Sequence, residues 1–308
     1  MSAPPDPARS GGERSAGVPV DAAADDAARR AYWTRRNEEA WDFMFNRVLP
    51  YPVEECGEPL VMLPDAIRGT GAEVAFSQRP HVLGLARIPA LRAGQLDAFV
   101  AAARAFNARG WTIRVEDGYR TRAIQKQLGR EPLVFDAILA RTIWELGGEV
   151  PSPAFMFRRC SGLVATVPKF ATHMSGSAID VSVVWRDAPD REVDRGAPYV
   201  ELSALTPMDS PFVSATARAH RAEITALFDA HGFVAYPYEF WHYSSGDAYE
   251  AVLRRTGRPA RYGPIDRDPV SGAITPIAAS GVPLNSEDEI RAEIALALRR
   301  LGEGSGGG

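Results

Sequence analysis

A mixed fold of strands and helices is what the apolar pattern of this chain supports, and three observations carry that expectation. The runs Trp111-Thr112-Ile113-Arg114-Val115 and Val181-Ser182-Val183-Val184 are rich in β-branched and aromatic residues, the composition of strands. Leu96, Phe99, Val100, Ala103 and Phe106 recur at helical spacing, with Gly110 where a helix end belongs. After Ser214, a capping residue, Ala217, His220, Ile224, Leu227 and Phe228 repeat that spacing.

Along the chain, residues 1–20 are rich in Pro, Gly, Ser and Ala and are expected to be disordered. The stretch 21–48 is helical in pattern and is stopped by Pro50 and Pro52. Residues 51–90 read as loops and short strands such as 73–76. The strand at 111–116 is followed by a helical region over 121–146, weak at Gly129 and Pro132, and 149–170 reads as a loop. The acids Asp187, Asp190, Glu192, Asp194, Glu201 and Asp209 mark 185–212 as a solvated loop, and 233–236 as a strand follows the second helix. Asn285-Ser286-Glu287-Asp288-Glu289 opens a terminal helix with a capping box, and a Gly/Ser tail closes the chain. The expected organisation is a disordered 1–20, a main domain over 21–285 with an N-terminal helical extension, a helix over 286–301 and a flexible 302–308.

Composition excludes several classes. With 308 residues, 45% hydrophobic and 24% charged, the chain has the make-up of a globular protein with a real core. A net charge of −4 argues against a nucleic-acid partner. No apolar run is long enough to span a bilayer. Arg29-Arg30 has no apolar stretch behind it, so no export signal is expected and the cytoplasm is the expected location. Cys56 and Cys160 are expected to be reduced thiols. Nothing in the residues sets an oligomeric state.

Chemistry concentrates in three stretches. Thr172-His173-Met174-Ser175-Gly176-Ser177-Ala178-Ile179-Asp180 offers an imidazole and a carboxylate, with Gly176 between them allowing a tight turn. Both groups suit Zn²⁺, which in catalytic sites takes three protein ligands and keeps a fourth position open. Tyr236-Pro237-Tyr238-Glu239-Phe240-Trp241-His242-Tyr243 supplies a third ligand, His242, and a carboxylate, Glu239, to take a proton. Positions i and i+3 of a strand face opposite ways, so Glu239 and His242 serve one site only if the backbone turns there. Glu116-Asp117-Gly118-Tyr119-Arg120 places a guanidinium at a strand end, where it can meet a developing oxyanion. His81, His220 and His231 have no such company and are read as structural.

In this order the stretches resemble the zinc D,D-dipeptidases of the vancomycin-resistance type, in the superfamily of lysostaphin, D-Ala-D-Ala metallopeptidases and hedgehog domains. That family is recognised by Asp-Gly-Tyr-Arg, then Ser-x-His-x-x-Gly-x-Ala-x-Asp, then Glu-x-Trp-His. Here the segments are Asp117-Gly118-Tyr119-Arg120, Ala171 to Asp180, and Glu239-Phe240-Trp241-His242. The resemblance implies an α+β fold, with helices packed around a small antiparallel sheet that carries a zinc site. It implies one Zn²⁺ per chain on His173, Asp180 and His242, with Glu239 as general base and acid and Arg120 stabilising the tetrahedral intermediate. The implied substrate is a small peptide, D-alanyl-D-alanine first.

Two departures stand out. Ala171 replaces the family's serine, and Thr172 is the neighbouring hydroxyl that could stand in for it toward substrate. The run Met208-Asp209-Ser210-Pro211-Phe212-Val213 stands where dipeptidases often read Met-Gly-Thr-x-Phe-Asp, whose last Asp binds the dipeptide ammonium. Val213 holds that place, so Asp209 or another acid of 187–209 is expected to substitute, or the substrate is not a free dipeptide. The alternatives are a zinc carboxypeptidase or amidase on another peptide-like metabolite or cell-wall fragment, and a zinc-stabilised binding module without turnover.

Overall fold

A computed structural model describes residues 22–79 and 84–305; residues 1–20, His81 and the end of the Gly/Ser tail lie outside them. Helix α1 (Ala22–Asp42) runs into a wider π-helical turn at Phe43–Val48. A small ribbon then pairs β1 (Leu60–Met62) with β3 (Ala90–Arg92), enclosing α2 (Leu63–Ala66) and β2 (Val74–Phe76) in sequence. The expected helix and strand follow as α3 (Leu96–Ala108) and β4 (Trp111–Asp117). The helical region at 121–146 breaks at its weak points into α4 (Arg122–Leu128) and α5 (Pro132–Glu145). Beyond it come α6 (Pro153–Val164), β5 (Ala178–Trp185), β6 (Ala188–Glu192), α7 (Ala215–Asp229), β7 (Val234–Ala235), β8 (His242–Ser244) and α8 (Ala248–Arg254). A last ribbon, β9 (Ile265–Arg267) with β10 (Ile274–Pro276), precedes α9 (Glu287–Ser305), which runs four residues past its expected end.

The main sheet has the order β2-β4-β5-β8-β7, with β6 folded back on β5. Its pairs are antiparallel except β2 with β4. The parallel pair has a topological cause: α3 lies between those strands in sequence, and a crossover helix is what parallel neighbours need. One face of the sheet is the core. Trp111, Ile113 and Val115 of β4 and Ile179, Val181 and Val183 of β5 pack against Phe99 and Phe106 of α3 and Ile224 and Phe228 of α7. Fully burying each such side chain contributes roughly 1.5–3 kcal/mol. Ser214 caps α7 as its sequence implied, accepting from the Ala217 N–H at 3.0 Å.

The expected loop at 149–170 is corrected: it contains α6. Ser152 caps it by accepting from the Phe155 N–H at 3.2 Å, and Pro153 occupies the first turn. Met156, Cys160 and Val164 lie one helical repeat apart and join α5 and α9 in a second core with Phe135, Leu139 and Ile290. The adjacent Arg158-Arg159 obscured that repeat. Arg159 is nonetheless buried, neutralised by Glu145 through two hydrogen bonds of 2.8 and 2.5 Å. Cys56 and Cys160 are free thiols. Among the described residues no helix is long and apolar enough to cross a membrane.

Candidate metal centre and active site

A bulge in β4 aligns the site. Val115 pairs with Val181, yet the next pair along is Asp117 with Asp180, leaving Glu116 as the extra residue. On its other side Asp180 pairs with His242. Asp117, Asp180 and His242 therefore form one row across three strands. Asp180 lies between the core residues Ile179 and Val181, so strand alternation turns it to the opposite face.

His173 reaches this row from the 3₁₀ turn Thr172–Ser175, which ends at Gly176 with φ 66°. A Cβ on Gly176 would collide with Leu60 Cδ2 in addition to the left-handed backbone. Gly176→Ala is expected to cost at least about 1–2 kcal/mol on backbone grounds alone. Urea unfolding tests this; an unchanged midpoint would show that the turn does not need its glycine. Gly118 meets a different constraint, since a Cβ there would lie 2.7 Å from Ile88 O and 2.8 Å from Ala90 N. That close passage leaves its carbonyl free to accept the His173 Nδ1–H at 2.7 Å. The Arg120 N–H donates to the His173 carbonyl at 3.1 Å, tying the first stretch to the second.

With Nδ1–H so engaged, His173 turns its Nε2 lone pair toward the row. Asp180 Oδ1 lies 3.2 Å from His173 Nε2 and 3.0 Å from His242 Nδ1. One carboxylate oxygen thus faces two ring nitrogens, an arrangement that calls for a shared proton or cation. The three candidate ligand atoms lie within 4.8 Å of one another. Ligands about 2.1 Å from a tetrahedral zinc sit about 3.4 Å apart, so the donor set fits Zn²⁺. Thr172, expected near substrate, is engaged otherwise: its Oγ1 hydrogen-bonds with His242 Nε2 at 2.9 Å, while the other ring nitrogen, Nδ1, faces Asp180.

Two donors hold the second oxygen of Asp180, Arg120 Nη2 and the Tyr199 hydroxyl, each at 3.0 Å. Arg120 Nε also donates to Asp117 Oδ2 at 2.7 Å, and Nη1 is its least committed arm, 3.4 Å from Gln125 Oε1. Burial pushes the Asp180 carboxyl up, but the imidazoles of His173 and His242 outweigh it and hold it well below the usual range. Burial, then the Arg120 charge, lower His173, keeping its ring neutral as a ligand must be. Burial opposes the Arg120 charge, yet Asp117 and Asp180 raise its pKa overall.

Glu239 sits in a turn, not in a strand. The His242 N–H donates to the Glu239 carbonyl at 3.4 Å, and the carboxylate Oε2 lies 4.0 Å from His242 Nδ1. Pro237 lies in the turn just before it, closed by the Glu239 N–H to the Tyr236 carbonyl at 3.3 Å, and these turns resolve the facing problem posed by the three-residue spacing. Burial, and then the charge of Asp180, push the Glu239 carboxyl well above its ordinary value. His173, Asp180, His242, Glu239 and Arg120 all line one cavity of about 240 Å³. Leu128, Leu133 and Leu163 also line it, with the carboxylate of Glu131 among them.

Asp209 is not brought there. It accepts from the Tyr32 hydroxyl at 2.8 Å, pairs with Arg36 at 2.9 Å, and its side chain is 63% exposed. Val213 is buried beside Gly196, outside the cavity lining. His220 stands edge-on to Trp111 and donates Nδ1–H to the Asp194 carbonyl, a structural role. The sequence offered no sign of Tyr199, which lies in the acidic 185–212 stretch. Asp117 was visible only as part of a motif.

Residues 147–257 match the profile of a peptidase family described as D-ala-D-ala dipeptidase. The match contains His173, Asp180, Glu239 and His242, while Asp117 and Arg120 precede it. A D-alanyl-D-alanine dipeptidase of Synechocystis sp. is 26% identical over 236 residues, which cover 68% of this chain and 90% of that protein. Among solved structures, the LdcB LD-carboxypeptidase aligns with TM-score 0.35 and 19% identity over 68% of this chain and 80% of that one. A vancomycin resistance D,D-pentapeptidase, VanY, solved with Zn(II), aligns with TM-score 0.35 and 16% identity over 68% and 94%. Over residues 147–257 the chain is thus similar to a D-ala-D-ala dipeptidase family, and the His173, Asp180 and His242 donor set within that stretch is one that suits the zinc of a metallopeptidase.

Proposed function

We propose that this peptidase hydrolyses a small dipeptide, D-alanyl-D-alanine first, with His173, Asp180 and His242 as the zinc ligands. The observation that carries the reading is the convergence of both rings on Asp180 Oδ1 beside Glu239 and Arg120, in one cavity of dipeptide scale. The zinc supplies Lewis acidity, polarising an amide carbonyl and acidifying a water. Glu239 accepts the water's proton, a role that its place in the cavity beside His242 supports. The same carboxyl then passes that proton to the leaving amine. Arg120, fixed by Asp117 and Asp180, offers Nη1 to the developing oxyanion. Residues 21–285, with α1 as an extension, are proposed as the peptidase domain and α9 as a terminal brace.

A second reading concerns the substrate. The described cavity lining has neither Asp209 nor a carboxylate at position 213, which favours a peptide whose amine is acylated, cut by a carboxypeptidase or amidase reaction. A panel of free and N-acetylated dipeptides, assayed with the zinc-loaded protein, separates the two. Cleavage of free D-alanyl-D-alanine with little turnover of its N-acetyl form supports the dipeptidase. The reverse order supports the second reading, and turnover of neither with zinc bound overturns both.

A further inference from the structure

Tyr199 belongs to a turn that its own sequence does not favour. The Glu201 N–H donates to the Pro198 carbonyl at 3.3 Å, closing a four-residue turn with Val200 at its third position. Val200 has φ 64° there, a left-handed conformation natural to Gly or Asn and costly for a β-branched residue. Such strain persists only where surrounding contacts over-determine the backbone, and it gathers at functional sites. The contacts here are those of Tyr199. Its ring stands edge-on to Trp241 with centroids 5.7 Å apart, next to the candidate ligand His242. Its hydroxyl donates to Asp180 Oδ2 at 3.0 Å, and both residues line the same cavity.

We infer that Tyr199 is a positioning residue of the metal centre, which with Arg120 occupies Asp180 Oδ2 and confines ligation to Oδ1. The geometry assigns distinct tasks to the two oxygens. Oδ1 faces His173 Nε2 and His242 Nδ1, while Oδ2 is taken by a guanidinium and a phenol. A carboxylate free to swing could bring both oxygens to one ion and fill the position that a catalytic zinc keeps open. Two donors on Oδ2 oppose that swing. Arg120 alone is a weaker restraint, because its fork is shared with Asp117.

The inference rests on the proposed ligation, and one experiment separates the two. Tyr199→Phe keeps the ring on Trp241 and removes only the hydroxyl. Zinc affinity is measured for both proteins by competition with a chromophoric chelator, and the visible absorption of the cobalt-substituted forms is recorded. Removing such an outer partner typically weakens metal binding about 10–100-fold. The expected result is a loss in that range, with weaker cobalt bands as an added carboxylate oxygen raises the coordination number. Equal zinc affinity and identical spectra for the two proteins would overturn the role of Tyr199. Failure of the unsubstituted protein to bind zinc would instead overturn the ligation itself.

Discussion

Replacing Glu239 by glutamine is expected to leave one zinc per chain in place while lowering kcat by about 10²–10⁴-fold. The amide has the shape of the carboxyl but cannot accept the proton of an attacking water. Its environment adds a second, independent readout. Burial and Asp180 raise the proton affinity of Glu239 in the folded chain above its unfolded value. Such a carboxyl opposes folding once it is ionised, so its penalty is present near neutral pH and fades as pH falls through the folded pKa. The metal-free Glu239→Gln protein is therefore expected to melt at or above the temperature of the unsubstituted protein at pH 7. Elemental zinc analysis, steady-state kinetics and thermal unfolding together check this. Full activity would remove Glu239 from proton transfer, and loss of zinc would make it a ligand instead.

Arg120→Ala is expected to act on both chemistry and stability. Loss of one preorganised donor to an oxyanion costs about 10²–10³ in kcat. In addition, Asp117 and Asp180 would lose their shared buried cation, a change that costs about 3–5 kcal/mol where one partner of a buried ion pair is removed. Sequence reasoning anticipated mainly the first effect, because a motif does not reveal that the arginine bridges two carboxylates. Arg120→Lys separates the effects. An ammonium keeps the charge but cannot span both acids as a planar fork does, so part of the stability is expected back without the rate. Kinetics with denaturant unfolding of both variants tests this. An unchanged kcat in Arg120→Ala would take the guanidinium out of the reaction.

Much of the candidate site was legible because its parts are local. Imidazole, carboxylate and guanidinium are chemically distinct, and Gly176 and Pro237 mark turns that only a few residue types make well. Helices announced themselves in the same local currency: Ser214 caps α7, and Ser286 with Glu289 opens α9. The missed helix α6 carried its cap at Ser152 too, but a buried arginine pair with Glu145 broke the polarity pattern used to find it. Burial of a charge depends on a partner brought from another helix.

By itself, then, the amino-acid order determined the alternation of helices and strands, the identity of the candidate ligands and the carboxylate and guanidinium beside them. These follow from side-chain chemistry and from periodicities spanning a few residues. Only the tertiary structure decided that a bulge at Glu116 brings Asp117 opposite Asp180, that His242 of β8 pairs with the same residue, and that Tyr199 closes on the Asp180 oxygen that Arg120 also holds. It also placed Asp209 on Arg36 and Tyr32, away from the cavity. The reason is strand register and loop docking. Both are set by contacts between residues tens of positions apart, and no local pattern encodes which distant partners will meet.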